Sequence, residues 1–181
     1  MKDRAVLVGV TGGIAAFKAA ALVSQMVQAG ARVQVIMTRV ATQFVGPATF
    51  AALTGRPVAT DVVDPCHRPL GWHVTLAEQA ELLCIAPATA NCMAKIACGI
   101  ADDLLSTTTL AFPGPTILAP AMNPDMWAKP AVQRNLDRIR QDGAIIVGPD
   151  QGWVSCRRTG PGRMAEPEQI FHEIELQFES L

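Results

Sequence analysis

A thiol between polar and basic residues stands near the end of the chain, in GWVSCRRTGPGRM (residues 152–164). A thiol can donate a proton, and neighbouring guanidinium groups favour its charged form if they lie close enough. Cys156, followed by Arg157 and Arg158, is therefore a candidate for proton transfer. The alternative is that Cys156 only fills space, because a free cysteine also packs as a small hydrophobe.

The other cysteines and the histidines show no metal or disulfide pattern. The chain has five cysteines, an odd number, without a C-x-x-C pair, and its three histidines are scattered. Zinc sites and disulfide frameworks need more regular spacings. We therefore expect no metal site, and Cys84, inside the apolar run LLCIAP, is expected to pack in the core.

A glycine pair follows the first apolar run, in VGVTGGIAAFK (residues 8–18). Gly12 and Gly13 can let the backbone approach a ligand while the amides at the start of a helix face an anion. The G-x-G-x-x-G pattern is absent, and MTRV stands where an NAD site usually has an acidic residue. Thr38 offers a hydroxyl to a terminal phosphate, so FMN fits better, although Arg39 leaves NADP open. The glycines could also serve only a tight turn.

Two further polar loops follow apolar runs, in APATANC and PAMNPDMW. Thr89 can cap a helix, and the Asn91 amide suits a polar ring edge or a ribityl chain. The Asn123 amide can donate to a carboxylate, with Met126 and Trp127 as an apolar lid. An ordinary helix cap and an Asn-Pro turn with Trp127 in the core are the alternatives without function.

These loops need a scaffold that brings them to one edge. Apolar runs bounded by Gly, Pro or Thr predict strands at 5–10, 32–37, 82–86, 116–119 and 144–148. Segments of helical period predict helices at 14–29, 89–98, 130–141 and 167–178. Fully apolar strands that alternate with helices predict a Rossmann-like three-layer α/β/α fold with a parallel sheet, as one domain over residues 1–181. Such sheets bind ligands at the carboxyl ends of their strands. The Pro-rich stretch 61–71 is expected to pass over this edge.

Composition narrows the class of protein. The 181 residues carry 15 Lys and Arg against 16 Asp and Glu, and this balance gives no sign of a nucleic-acid partner. No stretch approaches the roughly 18 apolar residues of a membrane span, and no signal segment is visible, so we expect a cytoplasmic protein without a membrane partner.

Four motifs in register resemble the flavin-dependent cysteine decarboxylases: TGGIAAFK, HVTLAEQAELLCIAPATANCMAKIACGIADDLL, PAMNPDMW and GPGRMAEP. The resemblance runs from about residue 5 to residue 170 and implies FMN as cofactor. It implies that His73 is the catalytic base or a group that orients at the flavin, and that Cys156 is the proton donor. The residues implied for FMN are Gly12, Gly13, Thr38, Thr89, Ala90, Asn91, Cys92 and Ala121. Those implied for the substrate are Asn123, which binds the carboxylate, Met126, Arg163 and Met164.

The resemblance also implies a reaction, the decarboxylation of 4′-phosphopantothenoylcysteine to 4′-phosphopantetheine in coenzyme A biosynthesis. A cysteine carboxylate loses CO₂ readily only when the carbanion left behind can delocalise. Oxidation of the thiol to a thioaldehyde provides that electron sink, and re-reduction of the resulting enethiolate returns the electrons. The alternatives are a peptidyl-cysteine decarboxylase that stops at the enethiol, more remotely a flavin prenyltransferase, and an FMN-binding regulatory subunit without turnover.

Assembly and partners follow from the same resemblance. The family places its flavin at a subunit boundary, so we expect a homo-oligomer, a trimer or a dodecamer of trimers. Many relatives fuse this domain to the synthetase that makes its substrate, and since this chain ends at Leu181 we expect a separate synthetase. Two features depart from the pattern of the family. Cys92 replaces the usual Thr, and Arg157 and Arg158 precede GPGRM. Positive charge at the second position would suit a phosphorylated substrate.

Overall fold

The computed structural model, which describes residues 1–62 and 71–180, is built on a parallel sheet of five strands. The strands are β1 (Ala5–Val10), β2 (Arg32–Met37), β3 (Leu82–Ala88), β4 (Thr116–Pro120) and β5 (Ile145–Ile146). Their spatial order is β2-β1-β3-β4-β5, and every neighbouring pair is parallel. The predicted Rossmann-like fold is confirmed.

Helices cover both faces of this sheet. They are α1 (Ala16–Gln28), α2 (Pro47–Thr54), α3 (Trp72–Glu78), α4 (Ala90–Cys98), α5 (Leu104–Ala111), α6 (Pro124–Trp127), α7 (Pro130–Gln141) and α8 (Pro167–Ser180). The four predicted helices are α1, α4, α7 and α8, with small changes at their ends. The short helices α2, α3, α5 and α6 were not predicted.

Alternate residues of the central strands enter two separate cores. In β1, Val6, Val8 and Val10 pack with α1, α2 and α8 on one face, whereas Leu7 packs with α3, α4, α5 and α7 on the other. The side chain of Cys84 is fully buried in the first core, as predicted. Because both faces are covered, the strands can be apolar throughout, which explains their sequence pattern.

Two strand boundaries differ from the prediction. Pro87 does not stop β3, which continues to Ala88 after a register shift against β4 and contains a cis Ala86–Pro87 bond. Proline fits here because pairing at the end of the strand is irregular and needs no N–H donor. In contrast, β5 is only two residues long, and Gly148, two residues beyond its end, has a φ of +79°.

An antiparallel hairpin near the carboxyl edge was missed by the sequence analysis. It consists of β6 (Asp150–Val154) and β7 (Arg158–Arg163), and Cys156 lies in the turn between them. The sequence TGPGR hides β7, because glycine and proline are depleted in strands.

Part of the predicted excursion at 61–71 lies outside the described residues, as do Cys66 and His67. In the described part of the chain, no helix has the length and apolar character needed to cross a membrane.

Candidate active site

A cavity of about 1090 Å³ opens at the carboxyl ends of the central strands. All the predicted site residues except His73 line it: Gly12, Gly13, Thr38, Thr89, Ala90, Asn91, Cys92, Ala121, Asn123, Met126, Cys156, Arg163 and Met164. Small-molecule sites occupy roughly 300–1,000 Å³, so a nucleotide and a substrate can share this space. The parallel sheet brings these loops together, although they are far apart in sequence.

The β1–α1 loop presents backbone amides to the cavity. The N–H of Ala16 donates to the Gly13 carbonyl at 3.0 Å, so the amides before Ala16 precede the helical ladder and suit an anion. A Cβ on Gly12 would lie 2.3 Å from Val40 Cγ1, so packing alone requires glycine there. A Cβ on Gly13 would meet nothing closer than Thr89 Cγ2 at 3.8 Å. Gly13 therefore keeps the backbone open on the cavity side, which fits a phosphate group.

Thr38 follows β2 and lies beside this loop, at the same edge of the sheet. Its N–H donates to the Val10 carbonyl at 3.0 Å, and its Oγ1 accepts from the Ala41 N–H at 3.3 Å. The hydroxyl proton remains available for a ligand oxygen. Arg39 also lines the cavity.

The β3–α4 loop supplies the middle of the cavity wall. Thr89 caps α4, as predicted, because its Oγ1 accepts from the Cys92 N–H at 3.3 Å. Asn91 is exposed and lines the cavity, so its amide can reach a ligand. Burial, helped by the nearby Asp103 carboxylate, raises the pKa of Cys92 to about 12. Cys92 therefore stays a neutral thiol and packs rather than attacks.

Asn123 and Cys156 meet at the cavity. Asn123 Oδ1 caps α6 by accepting from the N–H groups of Asp125, at 2.7 Å, and Met126, at 3.3 Å. Its Nδ2 therefore faces the other way and donates to Cys156 Sγ at 3.3 Å. The Asn123 amide thus caps α6 with its oxygen and contacts, with its nitrogen, a thiol 33 residues away along the chain.

Close packing of β7 against the β4–α6 loop produces this meeting. The N–H of Met122 donates to the Gly162 carbonyl at 2.9 Å, and a Cβ on Gly162 would lie 2.3 Å from the Met122 carbonyl oxygen. Gly162 also has a φ of +125°, so only glycine fits this position. This close contact explains why the second glycine of the GPGRM motif has to be a glycine.

Two arginines of the hairpin, Arg158 and Arg163, form ion pairs with carboxylates. Arg158 forms an ion pair with Asp125 on α6, and Arg157 occupies the turn with a φ of +61°. Arg163 pairs with Glu166, which also binds Lys18 Nζ at 2.9 Å. Arg158 therefore links the hairpin to α6, and an effect of Arg157 and Arg158 on the acidity of the thiol stays a prediction.

His73 is the exception among the predicted residues. It lies on α3, is half-buried, and is not among the described residues that line the cavity. Its Nδ1 is buried and has no hydrogen-bond partner within the described part of the chain. Helix α3 packs against α5, whose Leu105 and Ser106 do line the cavity. Helix α3 thus neighbours a helix of the cavity wall, but His73 does not itself line the cavity of its own chain as far as the structure describes it.

Trp127 takes the alternative core position and not the predicted lid position. It packs into the core on the α7 side of the sheet instead of forming a lid, while Met126 lines the cavity and is 46% exposed. Among the described residues, the exposed aromatic side chains at the cavity are instead Phe17, on α1, and Trp153, on β6 of the unpredicted hairpin.

An ion-pair cluster in the cavity wall was missed. Lys95 Nζ lies 2.6 Å from Asp102 Oδ1 and 2.7 Å from Asp103 Oδ2. Burial opposes the charge of Lys95, but the hydrogen bonds to the two carboxylates outweigh burial and raise its pKa. Asp103 also caps α5 through a capping box with Ser106. The DLLS spacing is the sequence signal that could have revealed this cap. Among the described residues, no cluster of His, Cys, Asp or Glu is arranged to hold a metal ion.

The geometry is that of a nucleotide-binding α/β protein with a thiol at the ligand cavity. Comparisons with known proteins identify the family within this class. The model of the Flavoprotein family matches residues 1–178, and the chain belongs to this family. The coenzyme A biosynthesis bifunctional protein CoaBC of Bacillus subtilis is 47% identical over 178 residues, which are 98% of this chain and 44% of the relative. CoaBC of Mycobacterium tuberculosis is 45% identical over 174 residues, 96% of this chain and 41% of the relative. The chain thus spans less than half the length of these curated relatives.

Solved structures agree with this assignment. The FMN-dependent cysteine decarboxylase SpaF superposes with a TM-score of 0.85 at 38% identity, covering 98% of this chain and 96% of that chain. A PPC decarboxylase mutant complexed with pantothenoylaminoethenethiol gives a TM-score of 0.87 at 28% identity, covering 98% and 100%. The predicted family is confirmed, and the FMN named for the first structure agrees with the predicted cofactor.

Proposed function

We propose that the chain is an FMN-dependent decarboxylase that converts 4′-phosphopantothenoylcysteine to 4′-phosphopantetheine, a step of coenzyme A biosynthesis. One observation carries the proposal: the Asn123 amide and the Cys156 thiol lie 3.3 Å apart at the cavity that the predicted FMN loops line. The CoaBC relatives and the PPC decarboxylase structure support the substrate. Residues 1–181 act in this proposal as one FMN-binding domain.

The residues at the cavity fit FMN. The amides around Gly12 and Gly13 and the Thr38 hydroxyl would hold its phosphate, in the region that Gly13 leaves open. Thr89, Ala90, Asn91, Cys92 and Ala121 would line its ribityl chain and ring. When bound, FMN supplies the reversible two-electron oxidation that makes loss of CO₂ feasible.

The protein's own groups bind the substrate and move one proton. Asn123 Nδ2 donates to the cysteine carboxylate and orients it, and its Oδ1 stays engaged in the α6 cap. Cys156, beside that carboxylate, donates a proton to the carbon chain after CO₂ has left. Met126 and Met164 supply apolar walls, and Arg163 adds positive charge for an anionic substrate.

In this proposal, His73 can take part in the reaction only in a homo-oligomer. It lies outside the cavity of its own chain, so as catalytic base it would reach the cavity of a neighbouring protomer. Ile14, Phe17 and Val40 line the cavity and are 56–60% exposed, which indicates an apolar contact surface beside the site. We propose an assembly based on trimers, either a trimer or a dodecamer.

The setting of the reaction completes the proposal. A phosphopantothenoylcysteine synthetase would supply the substrate, since the relatives named above are bifunctional coenzyme A biosynthesis proteins. We place the reaction in the cytoplasm, where cysteines stay reduced.

A peptidyl-cysteine decarboxylase is the second candidate. The 38% identity to SpaF, a cysteine decarboxylase, favours it. An enzyme that stops at the enethiol needs no proton donor for a return step, so Cys156 beside Asn123 supports the first candidate.

Parallel incubations test the proposal. Purified protein is loaded with FMN and given either phosphopantothenoylcysteine or a peptide that ends in cysteine, and CO₂ is measured. We expect release from phosphopantothenoylcysteine at a far higher kcat/KM. Release from the peptide alone would favour the second candidate, and a yellow protein that releases CO₂ from neither would indicate a regulatory subunit.

A further inference from the structure

Thr11 lies between the two loops that form most of the FMN side of the cavity. It follows β1 directly, lines the cavity, and is only 2% exposed. No part of the proposed function uses it, and the family resemblance gives it no role. Because the side chain is buried, its hydroxyl needs hydrogen-bond partners within the protein.

The Thr11 hydroxyl bonds the opposite loop twice. Its Oγ1 donates to the Pro87 carbonyl at 2.6 Å and accepts from the Thr89 N–H at 3.1 Å. These partners are 76 and 78 residues away along the chain. The hydroxyl therefore acts both as a donor and as an acceptor, and the two hydrogen bonds hold the β3–α4 loop against the β1–α1 loop.

These two bonds act on a part of the backbone that has no regular pairing. The register between β3 and β4 shifts between Ile85 and Ala88, so sheet hydrogen bonds do not fix this stretch in the usual way. Thr89, which Thr11 holds by its amide, begins α4 through its own cap on Cys92. A displacement at Thr89 would thus move the start of α4, including Asn91.

We propose that Thr11 is a positioning residue for FMN: its hydroxyl sets the distance between the phosphate loop at Gly12 and Gly13 and the ring-side loop at Thr89 to Cys92. The proposal rests on the proposed function, because it requires FMN to span both loops. Thr11 itself need not touch the cofactor. Its contribution is to keep two distant segments in the arrangement that binds FMN, so that binding does not have to order them.

The experiment measures the dissociation constant of FMN by quenching of flavin fluorescence. Thr11→Val keeps the shape of the side chain but removes the hydroxyl and leaves Pro87 O and Thr89 N–H unpaired. We expect its dissociation constant to rise about 10-fold or more. Thr11→Ser retains the hydroxyl, and we expect a dissociation constant within about 3-fold of the original protein.

Thr108 provides the matched control. It is also buried, and its Oγ1 donates at 2.7 Å to the Leu104 carbonyl within α5, away from the described lining of the cavity. Thr108→Val removes a buried hydroxyl in the same way and should leave FMN binding unchanged. If Thr11→Val yields no folded protein, Thr11→Ala replaces it in the same comparison.

The outcomes separate the two proposals. Weak FMN binding by Thr11→Val or Thr11→Ala, with normal binding by Thr11→Ser and Thr108→Val, supports the positioning role. Unchanged binding without the hydroxyl, or equal weakening by Thr108→Val, overturns it while the proposed function stands. If the original protein binds no FMN, the proposed function itself fails.

Discussion

The two ends of the Asn123 amide perform different tasks. Its oxygen caps α6, and its nitrogen faces Cys156 and the proposed substrate carboxylate. Sequence reasoning found this residue because an asparagine between prolines after a strand is a local signal. It could not find the contact with Cys156, because that contact depends on packing between segments 33 residues apart.

Asn123→Asp separates these tasks. Aspartate caps helices as well as asparagine does, so the melting temperature should change little. The nitrogen donor becomes a carboxylate oxygen that repels the substrate carboxylate, and KM should rise about 10-fold or more. Asn135→Asp, on α7, adds the same charge away from the described cavity lining and should leave KM unchanged. A normal KM for Asn123→Asp would remove Asn123 from substrate binding.

Cys156→Ser tests the proton donor. A hydroxyl is a far weaker acid than a thiol, and proton delivery by a positioned group contributes about 10²–10⁴-fold to rate. We expect CO₂ to be released once per flavin and an enethiol two hydrogens lighter than the saturated product to accumulate. Cys98→Ser, at the exposed end of α4, is the control and should behave as the original protein. Saturated product from Cys156→Ser at an unchanged rate would return Cys156 to a packing role.

At the level of elements, signals that lie within one segment were predictable. The glycine loop, the Thr89 cap and the amphipathic period of α7 each depend on a few neighbouring residues, and the structure has all three. The hairpin was not predictable, because its strands contain glycine, proline and arginine and are held by contacts with α6 and the β4–α6 loop. Element type follows local pattern, whereas hairpin placement follows tertiary packing.

The ion pair between Arg158 and Asp125 connects the hairpin to α6, so Asp125→Asn tests its role. Both side chains are more than half exposed, and loss of such a pair should change the free energy of unfolding by about 1 kcal/mol or less. Loss of the pair should displace the hairpin turn that carries Cys156. We therefore expect the rate at which the saturated product forms to fall several-fold. Asp142→Asn, which removes the exposed pair with Arg138, is the control. Equal rates in the two variants would show that the pair does not position the thiol.

At the scale of the whole molecule, Glu81 joins both ends of the chain to the sheet. It accepts from Arg4 Nη1 and from the Ala5 N–H, both at 2.7 Å, and Arg4 also donates to the Phe178 carbonyl on α8 at 3.3 Å. The hydrogen bond from the Ala5 amide, followed by that from Arg4, lowers the pKa of Glu81 below its ordinary value of 4.5.

This shift predicts a pH dependence of stability. Since the folded state holds the charged form, the contribution of Glu81 is present above pH 4.5 and is lost as pH falls through the lower folded pKa. Glu81→Gln should therefore be less stable than the original protein at pH 7, by about 1 kcal/mol, and the difference should shrink below pH 4.5. Urea unfolding at several pH values measures it, with the exposed Glu179→Gln as control. A difference that grows on acidification would contradict the assignment.

Subunit exchange tests whether sites are shared. The variants His73→Asn and Cys156→Ser should each fail to form the saturated product. Mixed oligomers of the two, however, contain sites with His73 from one chain and Cys156 from another. We expect mixing after dissociation to restore part of the activity, and light scattering to show an assembly based on trimers. An active monomer, or no recovery in proven mixed oligomers, would contradict sharing of His73 between protomers.

The mass of the product is the most direct measurement of the central claim, that this site decarboxylates and then restores the saturated product. The FMN-loaded protein is incubated with phosphopantothenoylcysteine without any external oxidant or reductant, and products are analysed by mass spectrometry. The account predicts one CO₂ per turnover and a product of the mass of 4′-phosphopantetheine over many turnovers. A product two hydrogens lighter, or no loss of CO₂, would contradict it.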